Sequence, residues 1–99
     1  MAFDPLATLA SLDPEMRKRM TEQNEFVYGD GALSRKIKLL IAMAFDAAHG
    51  AENGVRSLAA QARQAGATDK EIAEALRVAY HLTGVGTLYT ASAGLRDPS

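Results

Sequence analysis

Between Lys38 and His49 the chain runs Leu-Leu-Ile-Ala-Met-Ala-Phe-Asp-Ala-Ala, with Asp46 as the only charge. Ile37, Leu40, Ile41, Ala44, Phe45 and Ala48 recur at the i, i+3, i+4, i+7 spacing of a helix that turns one stripe to a core. Leu39 and Met43 fill the opposite side, so little of this helix beyond Lys38 tolerates water. That feature constrains the fold more than any other. A chain of 99 residues has little left with which to cover such a helix, and small domains bury a smaller fraction of their surface than large ones. The sequence therefore points to helix-on-helix packing and to burial against further copies of the same chain.

The punctuation around this helix is clear. Ser34 is placed to cap its start, because a serine oxygen can satisfy one of the orphan amides of the first turn. Gly50 can end it in the left-handed conformation that glycine adopts without strain. A second helix carries Val55, Leu58, Ala59 and Ala62 and stops at Gly66. Thr68-Asp-Lys-Glu71 reads as a capping box that opens a third helix, with Ile72, Leu76, Ala79 and Thr83 on one side. Upstream, Asp4-Pro5 predicts a short helix over Leu6–Ser11. Asp13-Pro14-Glu15 predicts another, running to about Tyr28, before a turn at Gly29-Asp30-Gly31. Downstream, Gly84-Val85-Gly86 predicts a break or kink. A last helix then carries Leu88, Tyr89, Ser92 and Leu95. The expectation is a single all-α domain over residues 1–99 with about six helices.

Composition narrows the function by exclusion. Eleven basic and twelve acidic residues are well mixed and leave a net charge of −1, so nothing attracts a polyanion and no nucleic-acid partner is expected. Arg35, Lys36 and Lys38 sit against the positive end of their helix dipole, as solvated cations or as an anion site. There is no cysteine, hence no disulfide, no thiolate zinc site and no thiol chemistry. With no signal peptide and no apolar run of about twenty residues, no membrane partner is expected and the cytoplasm is the default location.

The segment from Ser34 to Leu95 resembles the carboxymuconolactone decarboxylase family, which includes the alkylhydroperoxidase-D-like proteins. The resemblance rests on the KLLIAMA helix, the break at Gly50, and the helix with Ala62 and Gly66. It continues through GATDKEIAEALRVA over Gly66–Ala79 and a glycine-containing link beyond. It implies an all-α fold and assembly into a homotrimer or homohexamer. The redox branch of the family carries Cys-x-x-Cys-x-x-x-His followed by Ala and Gly at four-residue steps. Counted back from Gly66 and Ala62, the cysteines fall on Ala51 and Gly54 and the histidine on Leu58, while the acidic relay residue falls near Leu39. A thiol peroxidase is thus excluded for this chain acting alone, since neither Ala nor Gly can attack peroxide or resolve a sulfenic acid. The decarboxylase branch also lacks the cysteines but keeps a histidine where Leu58 stands. Its carboxylated lactone calls for positive charge, for which Arg56 and Arg63 are at hand.

Among the remaining residues, Asp46, His49 and Glu52 stand at three-residue intervals across the end of the central helix. A carboxylate beside an imidazole fixes its tautomer and suits it to general-base work. The alternative is that His49 complements the negative end of its helix, with Asp46 beside it at the surface. Asp46 and His49 also offer two ligands on one face, but without further Glu or His from neighbouring helices no metal is expected. Arg56 is the candidate to anchor a substrate carboxylate, and His81 is a further candidate for ligand contact or a hydrogen-bonded structural histidine. No phosphate loop, nucleophile elbow or cofactor motif is present, and no cofactor is called for. Two readings follow. One is a cysteine-independent family member with a small-molecule pocket and decarboxylase- or lactone-type chemistry. The other is a degenerate, non-catalytic member serving as an oligomeric binding or scaffold protein, and a redox role beside a cysteine-bearing paralogue is a third possibility.

Overall fold

The computed structural model of the chain describes residues 6–96, and all regular structure among them is helical. Five helices form: α1 (Ala7–Leu12), α2 (Pro14–Tyr28), α3 (Arg35–Ala48), α4 (Glu52–Gln64) and α5 (Asp69–Leu95). They divide between Ala32 and Leu33 into two compact units.

In the first unit α1 packs on α2. Asp13 caps α2 by accepting a hydrogen bond from the Met16 amide at 3.0 Å, with Pro14 in the first turn where its missing N–H costs nothing. Asp4 and Pro5 lie outside the described residues. Neither helix buries a side chain, and Phe26 and Leu12 are largely exposed.

In the second unit α3 packs against both α4 and α5. Ser34 accepts from the Ile37 amide at 3.2 Å. Gly50, at φ +75°, and Gly66, at φ +101°, turn the chain after α3 and α4 in the left-handed region. The capping box at α5 is complete: the Thr68 hydroxyl accepts from the Glu71 amide at 3.1 Å, and the Thr68 amide donates to the Glu71 carboxylate at 2.9 Å.

Two findings differ from the sequence reading. Of the break or kink expected at Gly84–Gly86, no break forms, and α5 runs unbroken for 27 residues. Glycine in a helix interior costs about 0.5–1 kcal/mol relative to alanine, which weakens a helix without ending it. Only Gly50 and Gly66 take the positive φ that ends one. This difference accounts for five helices rather than about six. The second finding concerns the two sides of α3. Its deepest side chains are Leu39 and Met43, fully buried together with Ala62 of α4, whose small side chain lets the helices approach closely. The Ile37–Ile41–Phe45 stripe, which the periodicity alone assigns to the core, stays partly open: Phe45 keeps 63% of its surface. The core is correspondingly small, comprising Leu39, Leu40, Met43 and Ala62 among the described residues.

Candidate functional site: an apolar groove between α3 and α5

The exposed stripe of α3 faces a matching stripe of α5, and the two enclose a groove of about 510 Å³. Ile37, Ile41 and Phe45 line it from α3, and Val78, Ala79 and Leu82 from α5, with His49 and Thr83 as its polar lining residues. The helices are held in register at the far end by Lys36, whose ammonium meets the Glu71 carboxylate at 2.8 Å, with both side chains about two-thirds covered. Lys36 lies in the first turn of α3 and Glu71 in the first turn of α5, so the two helices start side by side, and His49, which follows the last residue of α3, lines the same groove as Leu82 and Thr83.

Glu71 does double duty, accepting from Lys36 and from the Thr68 amide. The Lys36 ammonium first, and that amide next, hold its carboxyl below the ordinary carboxylate value. Lys36, in the basic cluster at the start of α3, is committed to Glu71, and Arg35 and Lys38 also have partners. Nothing local in the sequence pairs Lys36 with Glu71, which stands 35 residues further along the chain.

Of the residues singled out in the sequence, the structure brings one to the groove. His49 follows the last residue of α3, and its Nδ1 lies 2.7 Å from the Phe45 carbonyl oxygen. A carbonyl only accepts, so Nδ1 is the donor of this hydrogen bond, and a ring with one proton then has its lone pair on Nε2. The ring stacks on Phe45, with centroids 6.4 Å apart and planes at 17°. This arrangement puts the imidazole on the groove lining and also gives the last turn of α3 a hydrogen-bond donor.

Asp46 belongs to another face. Leu39, Met43 and Asp46 follow one another at i, i+4 and i+7 on the side that meets α4, and the Asp46 carboxylate lies directly over Gly54. A Cβ at residue 54 would fall 2.8 Å from the Asp46 Cγ. The carboxylate thus sits at the first turns of α4, whose N-cap, Ala51, has no side chain able to cap it. An anion there complements the positive end of the helix dipole. It occupies the space above Gly54, where the resemblance to the redox branch would place a cysteine. No hydrogen bond joins Asp46 to His49.

Glu52 and Arg56 pair with each other on the exposed surface of α4 at 3.4 Å, and Arg56 also donates to Asn53 at 2.7 Å. Arg63 reaches Asp69 at 2.8 Å across the α4–α5 turn. None of the three lines the groove. His81 is exposed on α5 and also stands outside the groove lining. Leu58, where the family's histidine would fall, is half-buried on α4. Among the described residues no group of three or more His, Asp or Glu side chains gathers in a metal-binding arrangement. No described helix is long and apolar enough to cross a membrane. A second depression, of about 490 Å³, lies within the first unit against Met20, Asn24, Val27 and Tyr28 of α2. Arg17 at its edge donates to Thr21 at 2.7 Å.

The sequence profile of the carboxymuconolactone decarboxylase family matches residues 14–97. Neither a curated protein nor a solved structure gives a match. The chain belongs to the carboxymuconolactone decarboxylase family, as a member without cysteine.

Proposed function

We propose that this family member works without thiol chemistry and binds an uncharged, largely apolar small molecule in the α3–α5 groove. One observation carries the reading: a cleft of about 510 Å³ lined by aliphatic and aromatic side chains, with a single imidazole at one end. Ligand sites are commonly apolar clefts of this size with a few polar groups that fix orientation. A carboxylated lactone fits less well. Its anion would need a cation in the cleft, whereas Arg56 and Arg63 are engaged on other surfaces and Lys36 is neutralised by Glu71. If the bound molecule is turned over, His49 Nε2 is the group that can accept a proton from it, and His49→Ala should lower the rate by about 10²–10⁴-fold.

A non-catalytic binding role is the second reading. It is favoured by the lack of any second titratable side chain on the groove, since Asp46 is turned onto α4 and Glu52 onto Arg56. The test begins with binding. Naphthalene should raise the unfolding temperature more than naphthoate at equal concentration, and Phe45→Glu should abolish the rise. A naphthalene shift that survives Phe45→Glu, or no shift at all, contradicts the proposal.

A further inference from the structure

The lining of the groove is aliphatic and aromatic except at His49 and Thr83. These two stand at the same end. His49 follows Lys36 by 13 residues and Thr83 follows Glu71 by 12, counted from the ion pair that sets α3 and α5 side by side. At a rise of about 1.5 Å per residue, each lies roughly 18–20 Å along its helix from that pair. A polar group on a bound molecule therefore has these two side chains, and no others of the lining, to meet.

What they offer is decided by the bonds they already make. A hydroxyl has one proton to donate, and so has a neutral imidazole. His49 spends its proton on the Phe45 carbonyl oxygen, 2.7 Å from Nδ1. Thr83 spends its own on the Tyr80 carbonyl oxygen, 3.1 Å from Oγ1. Carbonyl oxygens only accept, so neither bond can run the other way. The lone pairs of His49 Nε2 and Thr83 Oγ1 remain, and both are acceptors. The backbone adds no donor. Amides of the lining residues are engaged within α3 and α5, that of Ile37 donating to the Ser34 hydroxyl and that of His49 to the Phe45 carbonyl. The lining thus has acceptors and no donor to spare. A ketone, ether or carboxylate oxygen placed here gives up its water and gains nothing in return, which is costly. A hydroxyl finds a partner.

We infer that the groove selects a neutral alcohol or phenol, whose apolar body lies along the α3 and α5 stripes and whose O–H is donated to His49 Nε2. Of the two acceptors the imidazole nitrogen is the more basic, so the hydroxyl goes to it and Thr83 is secondary. The inference deepens the reading of the groove as a small-molecule site and rests on it.

Three ligands with one ring system test it: naphthalene, 2-methoxynaphthalene, whose oxygen only accepts, and 2-naphthol, which donates. Dissociation constants are read from ligand fluorescence near pH 7.5, where a phenol is uncharged. In the native protein 2-naphthol should bind roughly 2–10-fold more tightly than the methyl ether, the range of one net hydrogen bond. The ether should bind no more tightly than naphthalene. His49→Phe keeps a ring at this position and removes the acceptor, so it should erase the advantage of 2-naphthol while naphthalene still binds. Thr83→Val should keep the advantage. An ether that binds as tightly as 2-naphthol to the native protein overturns the inference, whether or not either variant folds. So does an advantage of 2-naphthol that survives in His49→Phe. Equal binding of all three ligands leaves the groove reading standing while the hydroxyl preference falls, and binding of none ends both.

Discussion

The placement of Asp46 over Gly54 can be tested by a double-mutant cycle. Gly54→Ala ordinarily stabilises a helix interior by about 0.5–1 kcal/mol. Here the new Cβ would lie 2.8 Å from the Asp46 Cγ and 3.4 Å from its Cβ, so the carboxylate must swing away. That movement forfeits a helix-dipole interaction of about 0.3–1 kcal/mol and forces a side-chain torsion costing about 0.5–1.5 kcal/mol. The net effect in the native background is between roughly no change and about 2 kcal/mol of destabilisation, on those same figures. In an Asp46→Ala background the obstruction is gone and the same substitution should stabilise by about 0.5–1 kcal/mol. The predicted coupling is therefore about 1–2.5 kcal/mol, read from urea unfolding at pH 7 and one fixed chain concentration. Equal effects of Gly54→Ala in both backgrounds, within about 0.3 kcal/mol, would mean that the carboxylate does not occupy this space.

Other expectations are simpler. Glu71 has its carboxyl held below the ordinary 4.5 in the folded chain, so its contribution to stability is present above that value and is lost as pH falls through the folded value. Melting curves from pH 7 downward should show a smaller acid-side loss in Glu71→Gln than in the native protein, and an unchanged profile would refute the Lys36–Glu71 assignment. Thr68→Ala removes the hydroxyl half of the capping box and should cost about 0.5–2 kcal/mol in urea unfolding. With no cysteine in the chain, the purified protein should show no dithiol-dependent reduction of organic hydroperoxides, and turnover above a buffer control would contradict this.

The helices were legible in the sequence because their signals are local. Ser34, Gly50, Gly66 and the Thr68–Glu71 box each act within a few residues of their own position, and each does in the structure what its chemistry predicts. The continuity of α5 was not legible, because a glycine pair weakens a helix without dictating a turn, and only the observed φ values distinguish the two. The division of α3 into a buried and an open side was hidden for a different reason. Both sides are apolar, so periodicity cannot say which one meets α4; Ala62 and Gly54, the small residues across the contact, decide it. The candidate site shared that difficulty. Spacing put Asp46, His49 and Glu52 near one another along the chain, but their directions depend on neighbours. Asp46 turns onto α4, Glu52 pairs with Arg56, and His49 alone meets the groove. The groove itself left no motif, since apolar residues that line a cleft look the same in sequence as those that fill a core.

Naphthalene titrated into protein with labelled methyl groups tests the groove most directly. The methyl resonances of Ile37, Ile41, Val78 and Leu82 should shift together and saturate at one binding constant. Those of Val27 and Met20, on the depression of the first unit, should stay in place. Shifts confined to Val27 and Met20, or scattered without saturation, would contradict it.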